Sequence, residues 1–249
     1  MAESHIDLNC DMAEGIGNER ELMPWITSAN IACGYHAGDA ELMKRTVDLC
    51  LQYNVAIGAH PSFPDRENFG RTNMNLPLDE VSAIVIEQIA LLKEIALRQG
   101  GLLHHVKPHG ALYNMAAKDS ALARCIAEAI RQVDPTLILY GLSQSAMITE
   151  ADKIDLKTAN EVFADRTYQP DGSLTPRTQP GALIIDESEA LSQTIRLVKE
   201  KKVLAMSGED IHLNADTICL HGDGTHAVAF ARLIHSRLKD EKVQLKTFE

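Results

Sequence analysis

Residues 101–109, GLLHHVKPH, followed after a short interval by residues 120–133, SALARCIAEAIRQV, decide the fold. The first stretch opens on a short apolar run of strand length, and the second repeats its apolar residues at helical spacing. A strand leading into a helix is the unit from which parallel sheets are built. The same alternation recurs on both sides: HIDLN; SANIAC before AELMKRTVDLCLQY; VAIGAH before LDEVSAIVIEQIALLKEIALRQ; LILYGL before SQSAMITEAD. It continues with LKTANEVFA, then SEALSQTIRLVKE leading to VLAMSG, then TICLHG before HAVAFARLIHSRL. About seven or eight such units predict a closed β/α barrel rather than an open sheet, and a 249-residue chain fits one barrel domain over residues 1–249.

Boundary signals agree. Pro77 and Asp79 open the long third helix, and Gly100-Gly101 closes it. Two long loops, residues 61–77 and 165–181, interrupt the alternation, and loops of that length inside a domain tend to carry binding function.

Alternate strand residues point to opposite faces, so each run divides in two. Ile6, Leu8 and Cys10 oppose Asp7, Asn9 and Asp11; Asn30 is the polar residue of its run; Ala56, Gly58 and His60 oppose Val55, Ile57 and Ala59. In the opening stretch His105, Lys107 and His109 share one face, opposite Val106 and Pro108, and His104 alternates outward. Cys219, His221 and Asp223 oppose Ile218 and Leu220. Each strand thus has one apolar face and one face with polar groups near its C-terminal end, where parallel barrels place their active sites.

Same-face residues are about 6.6 Å apart along a strand, so His105 and His109 would lie about 13 Å apart and could not share an ion. A set drawn across strands, such as Asp11, His60 and His109, is the weaker route to a metal, and no tightly bound metal is expected. No HExxH, GxxxxGK[ST] or GxSxG is present. Two glycine-rich turns, 33–39 with His36 and Asp39, and 221–224 with His221 and Asp223, could present N–H groups to phosphate. The same glycines would serve equally well merely to make tight turns.

A formal charge of −11 and the lack of a Lys/Arg face argue against nucleic-acid binding. No stretch approaches 18 apolar residues, and the first residues lack the basic and apolar regions of a secretory signal, so a cytoplasmic protein without membrane attachment is expected. The five cysteines form no CxxC pair and read as reduced thiols.

Six ordered blocks, DLNCDMAEG (7–15), SANIACGYHAGD (28–39), GAHPSFPDRENFGR (58–71), VKPHGALYN (106–114), EVFADRTYQPDGSL (161–174) and CLHGDGTHA (219–227), resemble the signature blocks of the LamB/YcsF family. One departure is AEG at 13–15, where many members read GEG. The resemblance implies an irregular seven-stranded β/α barrel of the glycoside hydrolase/deacetylase type. It further implies opening of the 5-oxoproline lactam to L-glutamate, coupled to hydrolysis of ATP with Mg, by an enzyme whose other subunits are B and C.

On that resemblance Lys107 would neutralise a carboxylate or phosphoryl group. His109, His60, Asp11 or Glu161 would take a proton from the attacking water. Arg166 would hold an anion, or else serve structurally in an ion pair with Asp165 or Glu161. Asp7, Asn9, Asn30, His36, Asp39, His221 and Asp223 complete the expected substrate- or phosphate-binding set. The competing expectations are a stand-alone metal-dependent deacetylase or amidohydrolase, and a binding module that only presents the ligand.

Overall fold

The alternation read along the chain closes on itself in space. The computed structural model describes residues 5–220 and 227–249. Its barrel strands are β1 (His5–Met12), β2 (Ser28–Ala32), β3 (Ala56–His60), β4 (Leu103–Val106), β5 (Ile138–Leu142), β6 (Thr158–Phe163) and β9 (Thr217–Leu220). Every neighbouring pair is parallel, and β9 joins both β6 and β1, which shuts the ring at seven strands. The single seven-stranded β/α barrel expected from the sequence is therefore the fold.

The outer face of the ring is apolar because it lies under helices: Leu8, Ile31, Ala59, Val106, Leu139, Val162 and Ile218 are all fully buried. Each Leu, Ile or Val among them contributes about 1.5–3 kcal/mol on leaving water. The helices that cover it are α1 (Glu19–Leu22), α2 (Ala40–Tyr53), α3 (Leu78–Arg98), α4 (Gly110–Ala116), α5 (Ser120–Val133), α6 (Ala146–Asp152), α7 (Glu187–Glu200) and α8 (Ala227–Asp240). In α5 the buried positions Leu122, Ala123, Ile126, Ala127 and Ile130 follow the three- and four-residue steps of one helical stripe. As expected, α3 starts after Pro77 and gives way to Gly100 at positive φ.

One strand-like run behaves differently from the alternation. VLAMSG supplies β7 (Lys202–Leu204), which pairs antiparallel with β8 (Asp210–His212) outside the barrel. Only the middle residue of β7 is buried, whereas barrel strands must be apolar on their covered face throughout. The hairpin instead braces the long loop after β6, through a bridge between Tyr168 and Ala205.

A short β10 (Gln244–Leu245) adds to the start of β1. Just beyond it Phe248 packs against Ile138, Tyr140 and Ala159, an apolar cluster at the N-terminal end of the barrel interior. The opposite end carries the loops.

Candidate functional site

The barrel interior is a polar column whose composition follows from the inward alternation of each strand. At its base Asp7 accepts hydrogen bonds from the hydroxyls of Thr27 (2.5 Å), Ser28 (2.7 Å) and Thr217 (2.6 Å). Burial raises its carboxyl above the usual range, and the three hydroxyls pull back against it. One layer higher, Asn9 donates to Thr217 Oγ1 (2.7 Å) and Glu161 Oε1 (3.0 Å), and Asn30 donates to Asn9 Oδ1 (2.8 Å) and Asp11 Oδ1 (2.8 Å). His105 Nε2 sits 2.8 Å from Asn30 Oδ1, and its ring stacks on Tyr140 at 4.1 Å. Gly58, in register with His105, leaves the room that this ring occupies.

Lys107 tops the column. Its Nζ lies 2.8 Å from Asp11 Oδ1, 2.9 Å from Glu161 Oε1, 3.1 Å from Asn9 Oδ1 and 3.0 Å from Cys219 Sγ, with the side chain almost wholly buried. Burial alone would lower its basicity, but the facing Asp11 and Glu161 carboxylates outweigh that and hold it well above the ordinary lysine range. Lys107 is therefore a fixed cation, not a proton acceptor. Burial in turn pushes the Cys219 thiol up, so it stays protonated beside the ammonium.

Above Lys107 lies a rim of imidazoles. The backbone past β4 still runs beside β3, with Lys107 N–H donating to Ala59 O (2.9 Å) and His109 N–H to Pro61 O (2.8 Å). His109 then becomes the residue that caps α4. The turn that follows requires glycine: Gly110 has φ +56, and a Cβ there would meet Gly70 O at 2.4 Å, where Ala111 N–H donates across the same approach at 2.9 Å. Gln88 of α3 clamps the 61–77 loop by bonding both backbone groups of Ser62 (3.0 and 2.9 Å).

These restraints bring His36, His60 and His109 together: His60 and His109 are 2.9 Å apart between ring nitrogens, and His36 stacks on His109 at 3.8 Å. Burial, then neighbouring positive groups, lower His36 and His109 well below the usual histidine range, so both are neutral. Glu14, two residues past β1, reaches the same point, and one donor atom from each of Glu14, His36, His60 and His109 lies within 4.8 Å of the others. Such a set is able to hold a divalent ion.

A cavity of about 850 Å³ opens over this end of the barrel, with Asp11, Glu14, His60, Lys107 and His109 in its floor. Tyr113 and Phe163 form part of its wall, and Arg71, Lys118 and Arg177 stand among its outer residues. The Tyr113 hydroxyl and Glu161 Oε2 are both buried without a hydrogen-bond partner among the described residues. The cover comes from the 165–181 loop, tied down by Arg166, which donates to Thr175 O (2.6 Å) and Ala182 O (3.2 Å). Burial brings that guanidinium down to about 10.

Of the residues singled out from the sequence, Asp11, His60, Lys107 and His109 meet at the cavity floor, and His36 stacks behind them. Glu161 lies beneath Lys107 as a counter-charge. Asn9 and Asn30 are the linkers of the column, and Asp7 is at its far end, away from the cavity. Asp39 is not in the site: it is exposed, and its carboxylate caps α2 by accepting from Leu42 N–H at 2.8 Å. Arg166 lines the cavity while its bonds go to loop carbonyls rather than outward. His221 and Asp223 lie outside the described residues. Of the set Asp11, His60 and His109, Asp11 Oδ2 lies 3.4 Å from His60 Nε2, and the four donors that converge within 4.8 Å are those of Glu14, His36, His60 and His109.

Sequence reasoning passed over Glu14, Tyr113 and Ser62, which sit on loops or a short helix where no alternation applies. Glu14 did leave a signal: it is a carboxylate just past the C-terminal end of a barrel strand.

Comparison with known proteins agrees with this architecture. A profile of the LamB/YcsF family matches residues 6–249. A relative from Geobacillus kaustophilus (strain HTA426), named as the A subunit of 5-oxoprolinase, is 51% identical over 245 residues, covering 97% of this chain and 96% of the relative. The crystal structure of a lactam utilization protein from Thermus thermophilus superposes with a TM-score of 0.92 at 40% identity, covering 98% of this chain and 100% of that one. Peptidoglycan deacetylase PdaC from Bacillus subtilis shares the fold alone, at 12% identity and TM-score 0.52 over 99% of this chain and 88% of its own.

Proposed function

The chain belongs to the LamB/YcsF family, and from that premise we propose that it opens the lactam ring of 5-oxoproline to give L-glutamate, coupled to ATP hydrolysis, as the A subunit of a multi-subunit 5-oxoprolinase. The observation that carries this reading is the buried Lys107 ammonium at the cavity floor, held by Asp11 and Glu161 and aimed at a space of about 850 Å³. That volume is within the range of about 300–1,000 Å³ typical of small-molecule sites and leaves room beside 5-oxoproline for an activating group.

A five-membered lactam is unstrained and its amide carbonyl is a poor electrophile. Moving the γ-phosphoryl group of ATP to the carbonyl oxygen releases ADP and makes the carbon reactive. Water then adds at that carbon, the C–N bond breaks with the nitrogen taking a proton to leave an acyl phosphate, and a second water cleaves that acyl phosphate to the carboxylate and free phosphate. Lys107 supplies positive charge where negative charge gathers. Asp11, His60 or His109 at the floor receives the proton from water. Subunits B and C complete the enzyme, in the cytoplasm; among the described residues no helix is long and apolar enough to cross a membrane.

The test is the purified chain with and without subunits B and C, following glutamate formed from 5-oxoproline with and without ATP. ATP-dependent glutamate in the full complex, abolished by Lys107→Met, is the expected result. Loss of the ammonium also removes the counter-charge that Asp11 and Glu161 share, so the variant should be less stable by about 3–5 kcal/mol. Near wild-type turnover in folded Lys107→Met would overturn the role. Glutamate or another amine released by the chain alone without ATP would favour a second reading, a metal-dependent amidohydrolase, which the Glu14, His36, His60 and His109 cluster makes worth testing.

A further inference from the structure

Three histidines at the cavity floor are each tied, on one ring nitrogen, to a group that fixes where the proton sits. His60 Nδ1 is 2.6 Å from the carbonyl oxygen of Lys107, and His109 Nε2 is 2.9 Å from that of Phe69. A carbonyl has no proton to give, so both nitrogens are N–H donors. His36 Nδ1 is 2.9 Å from Ser62 Oγ, whose own hydroxyl donates to Phe63 O at 3.0 Å, so this nitrogen is a donor too.

A neutral imidazole carries one N–H. With each ring neutral, the remaining nitrogens, His60 Nε2, His109 Nδ1 and His36 Nε2, are lone pairs that face one another, the Glu14 carboxylate and, 3.4 Å from His60 Nε2, Asp11 Oδ2. His60 Nε2 and His109 Nδ1 are 2.9 Å apart. Glu14 Oε1 is 3.3 Å from His36 Nε2, 3.4 Å from His109 Nδ1 and 3.9 Å from His60 Nε2. Bare nitrogens and a carboxylate oxygen at these distances repel unless something positive lies among them. One added proton bridges a single pair; a metal ion satisfies all four donors.

We propose that Glu14, His36, His60 and His109 bind one divalent transition-metal ion of the zinc class. Three imidazoles and one carboxylate suit zinc and its neighbours rather than magnesium or calcium, which take oxygen ligands. Metal–nitrogen bonds of about 2.0–2.1 Å in a tetrahedron place donors about 3.3 Å apart, close to the separations found. The outer hydrogen bonds to Lys107 O, Phe69 O and Ser62 Oγ are of the kind that orient ligating histidines.

The His36 and His109 rings are stacked at 3.8 Å and parallel to within 4°, so one ion can take a lone pair from both only if one ring turns out of the stack on binding. The donors come from four separate places, the loops after β1 and β2 and the ends of β3 and β4, which is why no local spacing announces them. Glu14, His60 and His109 also line the cavity, so the ion would face its interior. The site is independent of whether ATP drives the reaction, and with the ion bound both nitrogens of His60 and His109 are engaged, so the proton from water falls to Asp11.

The experiment reads binding rather than turnover. The full chain, stripped with a chelator and dialysed, is titrated with zinc chloride and separately with cobalt chloride, with magnesium as competitor. One equivalent of zinc bound below micromolar free ion, visible absorption of a low-coordinate cobalt complex, and no displacement by magnesium are expected. Glu14→Gln and His60→Gln should each weaken zinc binding by more than about 100-fold, beyond the roughly 10- to 100-fold cost expected for the outer variant Ser62→Ala. Absence of stoichiometric uptake at micromolar zinc, or uptake undiminished in Glu14→Gln and His60→Gln, overturns the site. If neither of these variants folds, Ser62→Ala decides: unchanged affinity counts against the proposal and a loss within the stated range supports it.

Discussion

At the scale of single residues, the inner face of β3 shows how closely the column is fitted. A Cβ on Gly58 would lie 2.0 Å from His105 Nε2, and that ring is held by Asn30 on one side and stacked on Tyr140 on the other. Gly58→Ala should therefore destabilise the chain by about 3 kcal/mol, the upper end for overpacking, seen as a lower urea midpoint at unchanged slope. A loss below about 1 kcal/mol would mean the ring has somewhere to go. Ala13 shows the reverse situation. Its φ of +61 lies in the left-handed region, where glycine costs least, so Ala13 carries backbone strain that a glycine would relieve. Legibility at this scale follows geometry. Asp7, Asn9, Asp11, Asn30, His60 and Lys107 are legible as inward residues because a strand has a period of two. Glu14 and Tyr113 are not, because a loop or a seven-residue helix imposes no such period.

At the scale of elements, the turn at 33–39 separates two readings of one carboxylate. As the cap of α2, Asp39 contributes stability and no chemistry. Asp39→Ala should cost about 1 kcal/mol, a fall of about 2–4 °C in melting temperature, while leaving kcat/KM within twofold. A large loss of activity without loss of stability would return Asp39 to the site. The loop at 165–181 is legible as a functional segment from its length, but not what holds it, because Arg166 bonds carbonyls rather than a charged partner recognisable in sequence. Lysine cannot reproduce that fork. Arg166→Lys should speed tryptic cleavage after exposed Arg177 several-fold without shifting the global melting transition much; unchanged cleavage would show that the loop is secured elsewhere, for instance by the bridge to β7. The reading of VLAMSG as another βα unit fails for a related reason. Three residues of strand propensity fit a hairpin as well as a barrel, and only burial on both faces tells them apart.

At the scale of the whole molecule, the barrel is legible from the repeated units, but its closure is not a local property. Asp7 pairs with Thr217, 210 residues away, and the ring is incomplete until that pairing forms. Chains of this size with such distant pairings fold through populated intermediates. Trp25 reports the last step, because its carbonyl and ring both meet His235 of α8. Refolding should show helical circular dichroism recovering before Trp25 fluorescence, with the slower phase lasting seconds or more; coincident single-exponential traces would contradict a late closure. The same distance matters on the ribosome. At about 5–20 residues per second, roughly 10–40 s separate the emergence of β1 from that of β9, and for that interval one edge of β1 has no strand to pair with. Asp7, Asn9 and Asp11 make that waiting strand a poor template for wrong partners, as inward charges do on exposed edges. The side chains that fill the polar interior of the finished barrel thus guard the nascent chain before there is an interior at all.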